Sequence, residues 1–248
     1  MQQNLGEPVT VDDMARAALF SKFHFMRMFQ SSTGVSPGRF LSALRIQRAK
    51  HLLASTSLLV AEISLTVGYS SVGTFSTRFT RSVGVSPARY RRLGSHVAEL
   101  PIDRDPAPAS HATGTLHGRI LPDAGATTEP IFVGVFRERI PEGRPVQYRI
   151  LDRPGSFVLD AVPVGAWHVV GHAVSAASQR WPGRVAGTPL RGCRGPIVVR
   201  PGAVAKTDLR LAPKRSLDPP VLLAQLDATR PAGYPARSGR EPRGPGRR

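Results

Sequence analysis

Cysteine is nearly absent from this 248-residue chain: Cys193 is the single one, which excludes an internal disulfide framework and agrees with a reducing compartment. Acidic residues are few, 17 against 34 Lys and Arg, giving a net charge of +17. Such a balance points to a polyanionic partner, nucleic acid before an anionic membrane, and says nothing about fold. Lysine is scarce too. Only Lys22, Lys50, Lys206 and Lys214 occur, and the arginine, alanine, glycine and proline bias points to a GC-rich genome. No apolar run approaches the roughly 20 residues of a spanning helix, and no apolar signal-peptide core is seen, so the reading is a cytosolic protein without a membrane partner. There is no phosphate-cradling glycine loop.

What is present falls into two halves. Up to Leu93 apolar residues recur at spacings of three and four, and proline is confined to helix starts. Residues 94–113 carry three prolines and no sustained period, which reads as a linker. Seven short alternating runs follow: Thr115 to Leu121, Ile131 to Arg137, Val146 to Leu151, Ser156 to Val162, Ala166 to Val174, Pro196 to Arg200 and Ala203 to Leu211. Turn residues between them predict a small antiparallel β-sandwich over 114–229, with Trp167 in its core. Leu217 to Leu226 reads as an extra strand or an interaction segment, and 230–248 as a disordered basic tail. The fold class is thus multidomain, α then β. The basic excess sits at the two ends: residues 1–95 hold 12 basic and 4 acidic side chains, and 230–248 hold 6 and 1.

The helical half contains a repeat. Phe29 to Phe40, FQSSTGVSPGRF, returns as Phe79 to Tyr90, FTRSVGVSPARY, with seven of twelve positions identical. Gly34 and Gly84 suit a left-handed residue after a helix, and Ser36-Pro37 and Ser86-Pro87 suit the start of the next. In the first unit Thr10 caps a short helix with Asp13 three residues on, Met14 and Ala18 face inward, and Ser21 caps the next helix. In the second, Ala61 to Val67 is the short helix, Gly68 the turn, and Ser70 or Ser71 the cap. Two helix-turn-helix units result, with reading helices at Lys22 to Thr33 and Val72 to Val83. Pro37 to Ser55 is one connecting helix, roughly 25 to 30 Å long at about 1.5 Å per residue, which spaces the two reading helices about one DNA turn apart.

Residues 5–93, through SKFHFMRMFQSSTGVSPGRFLSALRIQRAKHLL and AEISLTVGYSSVGTFSTRFTRSVGVSPARYRR, resemble the AraC/XylS double helix-turn-helix, homeodomain-like DNA-binding domain. The resemblance implies a bacterial, nucleoid-associated, non-enzymatic regulator of transcription whose partners are double-stranded DNA and RNA polymerase. Its groove-facing positions fall on Phe23, Met26 and Arg27, and on Val72, Gly73, Ser76 and Thr77. Lys22 and Gln30 are outward as well, whereas Phe25, Met28 and Phe29 are expected in the core. Arg27 reads guanine through its fork or contacts phosphate, and Arg78, Arg81, Arg89, Arg91 and Arg92 are expected on phosphates. Two departures stand out. The family's first helix is longer than this chain's beginning, which suggests a start placed late or a shortened domain, and Leu19 replaces a turn glycine. Gly155 to Val174 resembles carboxypeptidase-regulatory-like and transthyretin-like sandwiches, and the companion role in the family implies an effector or a dimerisation partner.

Three other signals carry less. Gly34-Val-Ser-Pro-Gly38 matches a nucleophile elbow but lies between helices. His168 and His172, two alternations apart, lack a metal-ligand spacing, and neither a metal nor a cofactor is expected. Cys193 between Arg191 and Arg194 is either an inert thiol or a redox sensor. The rival functions are a nonspecific DNA-compacting protein and an enzyme with an accessory sandwich. No oligomeric state, operator or effector follows from the residues.

Overall fold

The computed structural model describes residues 4–93, 112–122, 130–173 and 190–224. Most of the linker and the basic tail lie outside the described residues. The first half contains α1 (Val11–Ala17), α2 (Lys22–Thr33), α3 (Pro37–Ser55), α4 (Val60–Thr66), α5 (Val72–Val83) and α6 (Pro87–Leu93). Both reading helices and the connecting helix have the bounds their sequence signals predict, because strong caps set them. Thr10 Oγ1 accepts from the Asp13 amide at 3.2 Å while Asp13 accepts from the Thr10 amide at 2.9 Å. Ser21 Oγ accepts from the His24 amide, and Ser71, rather than Ser70, does the same for Thr74. Gly34 at φ 75° and Gly84 at φ 92° close α2 and α5. In α4, which has no hydroxyl at its cap, the Glu62 carboxylate alone accepts from the Leu59 amide at 2.6 Å.

The helical core is built around α3. Phe40, Ala43, Leu44, Ile46, Ala49, Leu52 and Leu53 pack with Ile63, Phe75, Phe79, Val83 and Tyr90. Phe75 and Phe79 are fully enclosed, each worth about 1.5 to 3 kcal/mol of apolar burial. The first unit is thinner. Met14 is buried as expected, but Ala18 is exposed, Met28 is 48% exposed, and Phe25 and Phe29 are only half-buried. Those expectations are corrected by helix geometry: at about 100° per residue Met28 stands off the Phe25–Phe29 edge that meets Phe40.

The two helix-turn-helix turns are equivalent. After α1 and α4 the next turn residue takes positive φ, 58° at Leu19 and 85° at Gly68. A side chain with a Cβ is strained there, and Leu19, 92% exposed, recovers nothing by packing. Leu19→Gly is therefore expected to stabilise the protein by about 0.5 to 1 kcal/mol in chemical denaturation, the relief of strain outweighing the entropy of glycine. A loss of stability would show that the leucine side chain has a partner.

The second half is a strand region: β1 (Thr113–Pro122), β2 (Ile131–Phe136), β3 (Gln147–Leu151), β4 (Ser156–Pro163), β5 (Gly165–Ala173), β6 (Leu190–Val199), β7 (Val204–Lys206) and β8 (Leu209–Pro213). The strands follow the order β3-β2-β5-β6-β8-β1-β4, with β7 also on β1. The ends of this path approach each other, and the Arg149 guanidinium donates to the Val158 carbonyl between β3 and β4. The sheet is thus nearly closed. It differs from an all-antiparallel expectation in that β1 pairs parallel with β7 and β8. The single run Ala203 to Leu211 is cut in two where Asp208 turns aside to accept from the Arg119 amide at 2.9 Å. Every residue of β2 is buried: Ile131, Val133 and Val135 face the main β core, and Phe132 and Phe136 face a second cluster with Val170 and Leu223. Trp167 is buried as expected, its indole N–H donating to the Pro163 carbonyl.

The segment expected to be an extra strand or an interaction segment is the latter as far as Ala224. Leu222 and Ala224 sit in the helical core, together with Ile140 from the β2–β3 connection. The buried Lys50 ammonium on α3 donates to the Leu222 carbonyl at 3.0 Å. The two halves are thus packed together by apolar contact as well as by charge.

Candidate DNA interface

On α2 the expected outward residues stand together. Lys22, Phe23, Arg27 and Gln30 are exposed, Phe23 to 74%, and Met26 is half-buried at their edge. Lys22 pairs with Asp12 at 2.8 Å, an exposed ion pair worth at most about 1 kcal/mol. On α5, Val72, Gly73 and Thr77 are exposed and Ser76 is half-buried. A methyl placed on Gly73 would meet nothing nearer than Ser71 Oγ at 3.7 Å, so this helix offers a flat, open surface. Neither α2, α3, α5 nor α6 contains an Asp or Glu. An acid-free set of helices presenting two exposed stripes suits a phosphate backbone.

The flanking arginines divide into two groups. Arg81, Arg89 and Arg92 are exposed. Arg91 is turned inward, donating to the Leu53 carbonyl in the last turn of α3, a helix-end acceptor, and to the Leu58 carbonyl beyond it. Arg78 lies two residues, about 200°, from Ser76 and points away from the open stripe. Its guanidinium donates to Ser42 Oγ at 3.2 Å and to Glu142 at 2.9 Å. Glu142 also holds Arg39 at 2.9 Å and accepts from Ser82 Oγ. With only 12% of its side chain exposed, it joins α3 and α5 to the β2–β3 connection. The sequence carried no sign of this clamp, because Arg39 and Glu142 stand over a hundred residues apart. Removing one partner of a largely buried pair leaves the other charge uncompensated. Glu142→Gln is therefore expected to lower stability by about 1 to 3 kcal/mol in urea denaturation, with a non-additive double-mutant cycle against Arg78→Gln.

The remaining signals resolve simply. Ser36 starts α3 between two helices, with no strand before it. Burial pushes the Cys193 thiol up despite the lowering effect of Arg191 and Arg139, which favours the inert reading over a redox sensor. No three His, Cys, Asp or Glu are gathered for a metal among the described residues. Burial lowers the pKa of His168 below its usual 6.5, and its Nδ1 lacks a partner among the described residues. A depressed folded value means that the unfolded chain binds the proton more readily. The contribution of His168 should be intact above about pH 6.5 and lost as pH falls from there through the lowered value. His168→Gln is expected to flatten that part of a stability–pH curve.

Comparison with known proteins agrees with this geometry. Residues 14–93 match a family model described as a helix-turn-helix domain. The lactose operon transcription activator of Staphylococcus xylosus is 34% identical over 88 residues, 36% of this chain and 32% of that one. The HTH-type transcriptional regulator MtrA of Neisseria gonorrhoeae is 39% identical over 84 residues, 34% of this chain and 28% of that one. A solved AraC-type DNA-binding-domain regulator from Chromobacterium violaceum is 30% identical, with 38% of this chain covering 85% of that one at a TM-score of 0.37. The matched region spans about a third of the length of the curated relatives. Residues 14–93 are thus a helix-turn-helix domain of the AraC type, the part of the chain over which these regulators resemble it.

Proposed function

We propose that the whole chain is a sequence-specific, non-catalytic regulator of transcription that binds double-stranded DNA in the cytoplasm, at the nucleoid, through two successive major grooves. The observation that carries this reading is the pair of equivalent helices α2 and α5, capped alike, joined by the rigid α3, and each bearing an exposed acid-free stripe. Both similar curated proteins are named for transcription control, which supports the same reading. Phe23, Met26 and Arg27 read base edges from α2, with Lys22 and Gln30 beside them. Val72, Gly73, Ser76 and Thr77 approach the second groove, where small side chains with few donors discriminate weakly. Arg81, Arg89 and Arg92 position the domain on phosphates, while Arg78 and Arg91 serve internal contacts instead. Residues 1–93 form the DNA-binding domain and 94–113 the linker to a β region over 114–229 of carboxypeptidase-regulatory-like or transthyretin-like kind. That region, in the nearly closed form described, acts as the effector or partner module, and RNA polymerase is the downstream partner.

Selection of bound sequences from a random duplex pool at about 150 mM salt tests this, run with the wild type and with Arg27→Ala. The expected outcome is an enriched site with two patches about one helical turn apart, and a loss of about 1 to 3 kcal/mol of discrimination confined to one patch in the variant. Equal binding to all sequences with a steep salt dependence would instead establish a nonspecific architectural protein driven by the +17 charge.

A further inference from the structure

Three parts of the helical domain that lie far apart in the sequence meet at Arg45, in the middle of α3. Its Nε donates to the Leu5 carbonyl at 2.9 Å and its Nη2 to the Glu7 carbonyl at 2.7 Å. The Glu7 carbonyl also accepts from the Val9 amide at 2.8 Å, so the guanidinium holds the chain immediately before Thr10, the cap of α1. The same guanidinium lies against the turn of the second unit. A methyl placed on Gly68 would stand 2.7 Å from Arg45 Nη2 and 2.5 Å from the Leu5 carbonyl oxygen. One placed on Gly6 would stand 2.6 Å from the carbonyl oxygen of Thr66, the last residue of α4. Gly68 is already favoured by its φ of 85°, but Gly6 has no such backbone reason. Its missing side chain answers to the close approach of residues 5–7 to the end of α4.

The first unit needs such a hold. α1 packs against α2, but α2 meets the spacer through Phe29 on Phe40, and most of its own surface is exposed. We infer that Arg45 is a positioning residue: by clasping residues 5–7 between the spacer and the Gly68 turn, it fixes the first reading helix relative to the second and so sets the patch spacing that the domain accepts on DNA. Arginine suits this task because its planar fork serves two carbonyls at once, whereas a lysine ammonium is a point donor on a flexible stem. Both bonds carry the charge of the guanidinium and are the stronger for it. The path runs from Arg45 through Glu7 and the Thr10 cap to α1 and α2 on one side, and through Gly68 to α5 on the other. The DNA part of this inference rests on the regulator reading, and the positioning itself does not.

The test measures the distance between spin labels at Gln30→Cys on α2 and Thr77→Cys on α5, both exposed positions, in the full chain without DNA and with Cys193→Ala to leave no other thiol. One narrow distance is expected in this background, and a distribution roughly twice as broad in Arg45→Met and in Gly6→Ala, where the clasp is released and the first unit moves on the spacer. Gly38→Ala, where a methyl meets nothing within 4 Å, is the control and keeps the narrow distance. Widths unchanged in both variants, or broadened equally in the control, overturn the inference. Should Arg45→Met fail to fold, Gly6→Ala decides alone, since it leaves the guanidinium and the apolar core in place. A second readout, with unlabelled protein, is binding to the selected two-patch duplex and to duplexes with one base pair added or removed between the patches. The wild type is expected to discriminate between them, and Arg45→Met and Gly6→Ala to lose about tenfold of that discrimination, because a looser pair of units accepts more spacings. Broadened distances with unchanged discrimination overturn the link to DNA spacing. A wild type that selects no site sinks the regulator reading, while the distances still decide the role of Arg45.

Discussion

The arrangement depends on the burial of α3. A helix on the surface of a domain hides one stripe, yet here Phe40, Leu41, Ala43, Leu44, Ile46, Ala49, Lys50, Leu52 and Leu53 are all enclosed. The other helices of the two units pack against it through Ile63, Phe75, Phe79, Val83 and Tyr90. The other half of the chain adds cover through Ile140, Leu222 and Ala224. A buried lysine fits that setting only because carbonyls of the covering segment accept its protons. Enclosed in this way, α3 is a fixed spacer, and the separation of the two reading helices follows from its length.

Because the same helix is held from both sides, the β region is no freely tethered companion. It meets the helical domain with an apolar centre at Ile140 and Leu222 and a charged margin at Arg39, Arg78, Glu138 and Glu142. Arg139 of the same connection stands over Gly34 so closely that a methyl there would meet its side chain. One short connection therefore touches the end of the first reading helix, the start of the spacer and the flank of the second. The contact avoids the exposed stripes on α2 and α5, so docking of the β region and approach to DNA are compatible.

How far the sequence foretold this depends on the range of the interactions involved. Cap chemistry acts within three or four residues, so Thr10, Ser21, Gly34, Gly68 and Gly84 announced their helices and turns directly. Most strands were legible from alternation, but β6 begins at Leu190 rather than at the expected Pro196, the last run is two strands, and the pairing was not legible, since β1 joins partners on both sides and in both directions. Among the candidate site residues the groove-facing positions came from resemblance, and the structure leaves Phe23, Arg27, Val72 and Thr77 open to solvent. Arg78 and Arg91 look like Arg89 in the sequence; only the carboxylate and carbonyls that fold onto them distinguish structural arginines from exposed ones. Glu142, the acid that makes this difference, lies in a connection with no motif at all.

The two helix-turn-helix units, alike in backbone, are packed unequally. The second has Gly68 at its turn and fully enclosed Phe75 and Phe79, and presents Gly73 and Thr77 outward. The first has the strained Leu19, half-buried aromatics and an open Met28, and presents Phe23 and Arg27. Large side chains turned outward are unavailable for a core on the same short helix. The unit with the larger exposed side chains is therefore the less well packed. It draws its support from neighbours: Phe29 against Phe40, Thr33 Oγ1 on the Phe29 carbonyl, and the β2–β3 connection over Gly34. The β region thus supports the half of the domain whose larger side chains face outward.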